Sequence, residues 1–598
     1  MQNPFHKLPS SKDLAFKQIL AATKRGGFPS FQQWKQLPRI LSAVEKKILG
    51  LAAFAAFAAL ASLFIWYIST HRIDIPTLGG EYTEALIGEP QFINPLYASN
   101  SDVDADLTRL VYSGLMRFDP SNGLVNDLAS EIQISEDGKT YTIKLRDNAL
   151  FGNGETVRAR DIIFTIDAIQ NPAYRSPLAV SFKGVSISQV DDITVAFTLE
   201  EPFAPFLSTL TVGILPANIW GEIEPRNAPL ASRNLEPVGS GPYRFLEFSK
   251  DKSGNILSYT LESNPFFYQT PALLEKLTFK FYQSAQEAVR ALENRNVEGV
   301  SFVSENLVEQ VEGVHGITII RPTIPREVAL YFNQTASEIL KDKVLRTAIA
   351  QAINKQVFVD EVLGGHGHVI DTPILSGMIG EHGAVLKLAF DVVAANNALT
   401  TAGYTWAEGA TTRQVKSATK PVEGITPAEL TFTLTTIQNP EFVQTAELIA
   451  SQLALIGIKL QVNPVSSEDF FGTVIQPKNY EILLTGTLLG IDPDPYPFWH
   501  SSQNKPGGLN LALFANRNAD TLLEDARKTT SVDDRATKYR EFQDMIAAEV
   551  PAIFLYQSTY TYAISDKIMN VSIERMISPA DRFAKINEWY IKTKKALR

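Results

Sequence analysis

Two carboxylates set among prolines and aromatic rings make Gly486-Thr487-Leu488-Leu489-Gly490-Ile491-Asp492-Pro493-Asp494-Pro495-Tyr496-Pro497-Phe498-Trp499 the most distinctive chemical stretch of the chain. The apolar run Ile482-Leu483-Leu484 before it reads as a buried strand, which places both acids on a stiff loop at a strand end. A carboxylate held in that way and partly screened from water is a receptor for a cationic group such as an α-ammonium. Asp-Pro pairs also form turns in their own right, so Asp492 and Asp494 have a second, purely structural reading.

Little else in the chain could carry a reaction. There is no His-Glu-x-x-His and no Gly-x-Ser-x-Gly pattern, which removes the commonest metal-dependent and serine hydrolase signatures. His366 and His368 alternate beside Gly364-Gly365 but lack a third ligand nearby, and His382 and His500 lie elsewhere, so no metal is expected. Paired acids such as Asp191-Asp192 arise in any acidic chain of this length, and glycosidase chemistry would need a separation the sequence does not show. Gly138-Lys139-Thr140 mimics the end of a phosphate-binding loop, but position 133 is Gln and no helix follows. Asp137-Gly138 is read as a hairpin turn instead. The 598 residues include no cysteine, which excludes disulfides, thiolate metal sites, a cysteine nucleophile and a lipid-modified cysteine anchor.

The elements around these residues alternate. Residues 80–86 are strand-like; 104–112 have helical spacing, with Leu107, Leu110 and Val111 on one face; Tyr141, Ile143 and Leu145 alternate with polar residues as a half-buried strand. A helix is expected over 161–169 and another over 442–455, ended by Gly457 and followed by a strand from Lys459. The Thr-, Ala- and Gly-rich residues 410–426 read as a surface excursion. Helices alternating with short strands through 340–490 predict an α/β domain with a mixed sheet.

One segment lives in a different solvent. Residues 48–68, ILGLAAFAAFAALASLFIWYI, are uncharged and mostly apolar, and as a helix they cover about 30 Å, the thickness of a bilayer's hydrocarbon core. Trp66 and Tyr67 stand where rings favour the headgroup zone. Residues 1–47 carry nine Lys/Arg against two acids, a net of +7, which leaves −17 for the remainder of a chain with net charge −10. Basic flanks stay cytoplasmic, so the large acidic part is expected outside, and the helix as an uncleaved signal anchor. An acidic body without a basic cluster argues against nucleic acid as a partner.

Several motifs in order resemble those of one family. They are Gly88-Glu89-Pro90-Gln91-Phe92-Ile93-Asn94-Pro95; Val111-Tyr112-Ser113-Gly114-Leu115; Leu128-Ala129-Ser130 through Asp137-Gly138-Lys139-Thr140-Tyr141 to Leu145-Arg146; Val238-Gly239-Ser240-Gly241-Pro242-Tyr243; and Asn264-Pro265-Phe266-Phe267-Tyr268. Phe332-Asn333 with Val344-Leu345-Arg346-Thr347-Ala348-Ile349, and Ala398-Leu399 with Ala402-Gly403-Tyr404, continue the series. Together, over residues 80–590, they resemble the extracytoplasmic solute-binding proteins of family 5, the oligopeptide- and dipeptide-binding proteins of ABC importers.

The resemblance implies an α/β, two-lobed periplasmic-binding-protein-like fold of the large peptide-binding class (type II) with an extra subdomain, here preceded by one transmembrane helix. Added to the cytoplasmic segment 1–47, the helix 48–68 and the linker 69–78 read from the residues themselves, it implies a first lobe from 79–324 and 553–598 with an inserted subdomain at 97–209, and a second lobe 325–551. It implies a peptide ligand, a permease and an ATPase as partners, no cofactor and no catalysis. In the family the loop after the strand supplies the Asp that binds the ligand's N-terminus. A one-residue register shift leaves Asp492 or Asp494 for that role, with Asp492 preferred, and the preceding Thr487, Leu488, Leu489 and Gly490 would pair with peptide backbone. Tyr331 and Asn333, in the strand-like run 328–333, are a candidate cleft wall and equally a core strand. The arginine by which the dipeptide-binding branch holds the ligand carboxylate is absent at Phe442-Val443-Gln444, which argues against a strict dipeptide pocket and leaves room for longer or different ligands. Arg158 stands where the family has a helix-capping threonine. A non-transport peptide sensor or chaperone-like receptor, and a cell-wall hydrolase, remain as alternative readings.

Overall fold

The computed structural model describes residue 35 and residues 41–415 and 428–597; residues 1–34, 36–40 and most of the excursion expected at 410–426 lie outside the described residues. The chain divides into two units, residues 1–77 with 593–598, and residues 78–592.

In the first unit a 28-residue helix runs Ala43–Thr70, longer at both ends than the apolar core 48–68. Ser42 caps it: its hydroxyl accepts from Glu45 N, and the Glu45 carboxylate accepts from Ser42 N at 2.8 Å. None of its residues is buried, and its length and composition suffice to cross a membrane. The linker expected at 69–78 is not free chain: Arg72–Pro76 pairs antiparallel with Thr593–Leu597.

The second unit is built on two mixed sheets. The first has seven strands in the order Ile317–Ile320, Tyr562–Ser565, Gly299–Val300, Glu81–Ile87, Lys276–Tyr282, Ile256–Ser263, Tyr243–Lys250. The second has six: Gly367–Val369, Ala552–Thr559, Thr323–Phe332, Ile482–Leu488, Thr431–Ile437, Lys459–Val465. A four-stranded antiparallel sheet, Ala129–Ile134, Thr140–Leu145, Thr194–Leu199 and Val185–Asp191, forms the subdomain inserted in the first lobe. Its central strand alternates as its sequence dictates, with Tyr141, Ile143 and Leu145 buried. Gly138, at φ +68°, makes the hairpin turn before it. The helix Ala159–Gln170 begins with Asp161 accepting from Arg158 N at 2.8 Å. The Arg158 side chain turns instead to Asp192, at 3.1 Å.

The chain passes between the lobes twice, at 321–323 and at 560–561. The return comes later than the boundary expected at 551–553, because Ala552–Thr559 still pairs with Thr323–Phe332 in the second sheet. These crossings lie side by side, with Tyr560 N donating to Pro322 O at 2.9 Å and Met576 N to Thr323 O at 2.9 Å. Two adjacent, short strand crossings are the geometry a hinge needs.

The family-like motifs of the first lobe converge. Gly241 N donates to Val111 O at 2.8 Å, Asn264 Nδ2 to Gly241 O at 2.8 Å, and Ser113 Oγ to Ser240 O at 3.3 Å. The glycines are needed for close approach rather than for positive φ. A Cβ on Gly239 would lie 2.2 Å from Val111 O, and one on Gly241 2.5 Å from Leu110 O. Gly239→Ala is therefore expected to destabilise the first lobe by about 1–3 kcal/mol through overpacking against backbone, read as an earlier urea transition.

Candidate interlobe binding site

The strand Ile482–Leu488 lies between Thr323–Phe332 and Thr431–Ile437 in the second sheet, and the loop of paired acids leaves its end. Leu489 anchors that loop, buried with Ile374, Leu375 and Met378, while Leu488 and Gly490 are exposed. Ile491 follows at the junction of two cavities.

The first, of about 430 Å³, lies between the lobes. Its first-lobe wall includes Phe118, Leu124, Tyr141 and Leu207; its second-lobe wall includes Met378, Ile379, Ile491, Asp492, Val532 and Arg535; Arg575 lines it from beside the hinge. The second, of about 480 Å³, is lined mainly by the first lobe and shares Phe118, Ser208 and Ile491 with the first. Each falls in the size range of small-ligand sites; the wall of the first is mostly apolar, whereas the second also carries many hydroxyls and the Arg109–Asp581 pair.

Both acids of the loop have arginine partners. Asp494 binds Arg527 in a fork, Nε to Oδ1 at 2.9 Å and Nη2 to Oδ2 at 2.6 Å, and that guanidinium stacks 3.8 Å from the Tyr496 ring centroid. Tyr496 in turn stacks on His500 at 4.1 Å. Asp492 Oδ2 lies 2.7 Å from Arg535 Nη1, both side chains under 10% exposed, and Asp492 Oδ1 accepts from Asp494 N at 3.1 Å. Burial raises the Asp492 carboxyl from its ordinary value, with Arg535 opposing. Thus Asp492 lines the cavity as half of an ion pair, whereas Asp494 fastens Arg527.

The other expected residues divide. Thr487 Oγ1 lies 3.4 Å from Tyr331 Oη on neighbouring strands. Tyr331 and Asn333 line neither cavity. Tyr331 packs with Leu483 and Trp499 in the core, and Asn333 Nδ2 donates to Tyr480 O at 2.8 Å and Lys478 O at 3.2 Å. His366 and His368 belong to no group of three potential metal ligands among the described residues. The cavity residues that the sequence reading missed are Ile491, Arg535 and Arg575. The signal for Arg535, as for Arg527, was the loop itself, since two adjacent acids screened from water call for two bases; Arg575 pairs with neither acid and left no such signal.

The lobes are in contact across the cleft. At the far rim Ala204 N donates to Arg527 O at 2.7 Å, Lys528 meets Glu201 at 2.9 Å, and Arg527 lies over Phe203 at 5.4 Å. Near the hinge Arg575 Nη1 donates to Gly377 O at 2.9 Å.

A family model described as "Bacterial extracellular solute-binding proteins, family 5 Middle" matches residues 123–509, well over half of the chain. The chain belongs to this family. Its two-lobed α/β fold is the family's, and the family is one of binding proteins. Among its relatives is the oligopeptide-binding protein AppA of Bacillus subtilis, 26% identical over 509 residues that cover 82% of this chain and 89% of that one. The structure of AppA with a nonapeptide superposes at TM-score 0.67 with 25% identity, covering 87% of this chain and all of AppA. NikZ of Campylobacter jejuni, solved with Ni(L-His), is similar at TM-score 0.69 and 26% identity, covering 85% of this chain and 99% of NikZ. A Listeria monocytogenes ABC transporter substrate-binding protein, CtaP, shares the fold at TM-score 0.74 with 23% identity, covering 86% of this chain and all of CtaP.

Proposed function

We propose that this protein is the membrane-anchored, extracytoplasmic substrate-binding component of an ABC importer, taking peptides between its lobes and delivering them to a permease and its ATPase, with no catalysis of its own. The observation that carries the reading is the interlobe cavity, walled by both lobes and entered by the 486–499 loop from the second. The names of the relatives, oligopeptide-binding and ABC transporter substrate-binding proteins, support peptide and transport. Ligand drives closure only to the extent that it binds the closed lobes better than the open ones, and a hinge of two crossing strands suits that motion. In this arrangement Ile491 and Asp492, with Arg535, form the second-lobe floor of the site, and residues 487–490 lead the chain into it. The helix Ala43–Thr70 holds the body at the membrane, with the basic N-terminal segment inside.

The test is native mass spectrometry of the full chain extracted from membranes. Release from the pellet should require detergent, not alkaline wash. The spectrum should show added masses that form a ladder of peptides. A chain that washes off at alkaline pH would end the anchor reading, and ligand-free protein that ignores an added peptide library would end the peptide reading.

A further inference from the structure

The charges that face the interlobe cavity do not balance. Among the described residues Asp492 is the one carboxylate lining it, and Arg535 already lies against it. Arg535 is about 95% buried; its Nη1 is engaged by Asp492 at 2.7 Å, and its Nε has no hydrogen-bond partner among the described residues. Arg575 lines the same cavity and forms no ion pair among the described residues; its one hydrogen bond there goes to Gly377 O. Glu381, the carboxylate whose charge it feels, is occupied by Ser376 Oγ at 2.7 Å and Gly377 N at 2.8 Å. In the adjoining cavity Arg109 is matched by Asp581 at 3.7 Å. The excess is thus one guanidinium charge and unspent N–H donors, set among Leu124, Leu207, Met378, Ile379 and Val532. The loop position between the two cavities is Ile491, which offers nothing to an ammonium.

We propose that the cavity selects its ligand by a carboxylate, received by Arg575 and Arg535, with apolar side chains against the surrounding wall, and that a free α-ammonium is not required. This rests on the solute-binding reading above and names the ligand class within it: carboxylate-bearing peptides of apolar sequence, N-blocked or not. A buried guanidinium with unmade hydrogen bonds favours an anion because charge-assisted bonds are stronger than neutral ones and because leaving such donors unmade is costly. Ammonium binding at Asp492 would instead have to compete with Arg535 and add a cation to an already cationic cavity.

The experiment is calorimetric titration of the full chain in detergent with four forms of Ala-Leu-Leu: free, N-acetylated, C-amidated and doubly blocked. Free and N-acetylated peptide should bind comparably, and amidation should weaken binding by about tenfold or more. Arg575→Gln should remove most of the penalty for amidation, with Arg575→Lys retaining part of it. Ile491→Asp, which adds a carboxylate competing for the excess guanidinium charge without replacing either arginine, should weaken the N-acetylated peptide while improving the amide relative to it. Loss of binding on N-acetylation with indifference to amidation overturns the proposal and leaves the peptide-binding reading standing. So does an amidation penalty unchanged in both Arg575→Gln and Ile491→Asp. Failure of all four peptides overturns the proposal and the peptide reading together.

Discussion

Replacing Arg582 with methionine is expected to cost the folded protein about 3–5 kcal/mol, because it leaves buried carboxylates without their cation. Arg582 is fully buried and holds two acids from distant parts of the first lobe. Its Nε and Nη2 donate to Glu84 Oε1 at 2.9 and 2.8 Å, and its Nη1 donates to Asp106 Oδ1 at 2.7 Å. Tyr82 and Tyr562 complete Glu84 by donating to Oε2 at 2.7 and 2.8 Å. The network thereby fastens the C-terminal segment Pro579–Phe583 to the strand Glu81–Ile87 and the helix Asp102–Val111. Burial pushes the Asp106 carboxyl up to about 6, against the pull of Arg582. A carboxyl raised in the folded state binds its proton more tightly there, so its contribution to stability falls as pH rises from its ordinary 3.8 to about 6. In Arg582→Met protonation is the remaining way to neutralise the site. The deficit in urea unfolding should therefore be largest near pH 7.5 and shrink towards pH 5. An equal deficit at both values would mean that lost packing, not stranded charge, sets the cost.

The parts of the molecule that were legible in the sequence are those whose cause is local. The helix Ala43–Thr70 follows from an apolar run with a serine cap, and the strand with Tyr141, Ile143 and Leu145 buried follows from period-two alternation. The glycine- and asparagine-bearing motifs were recognisable as a set, but their reason was not: Gly239 and Gly241 are glycines because the end of another helix passes over them. The assignment of Tyr331 and Asn333 to a cleft wall or to the core could not be decided locally. Both faces of Thr323–Phe332 are covered, its burial pattern being almost continuous, so alternation carried no information about direction. The same limit governs the 486–499 loop. That acids belong there was plain; that Arg527 and Arg535, on later helices, close against them is a matter of how helix and loop pack. The buried pairing of Glu84 with Arg582 spans 498 positions and leaves no local trace.

Glu327→Gln should make the protein more stable, and more so as pH rises. Glu327 lies in Thr323–Phe332, opposite Thr487 on one side and Gln557 on the other, and is 1% exposed. Its Oε1 accepts from Tyr331 Oη at 3.2 Å, and its Oε2 has no hydrogen-bond partner among the described residues. No cation lies within ion-pair distance of it among the described residues, unlike Asp492, Asp494, Glu84 and Asp106. Desolvation therefore acts almost unopposed and raises its carboxyl from 4.5 to about 8. The sign follows from proton counting. Between pH 4.5 and 8 the native state keeps a proton that the unfolded chain has released, so stability falls with rising pH across that window and levels off above it. At pH 7 the accumulated cost is on the order of 3 kcal/mol, from about 1.4 kcal/mol per pH unit. A glutamine has the shape of the protonated acid and no ionisation to lose, so the variant should recover much of that cost while keeping the bond from Tyr331. Urea unfolding at half-unit steps from pH 4.5 to 8.5 separates this from a general packing effect: the two proteins should match near pH 4.5 and diverge steadily up to pH 8. Parallel curves would show that Glu327 is ionised in the fold, and would require a compensating charge or water beside its second oxygen.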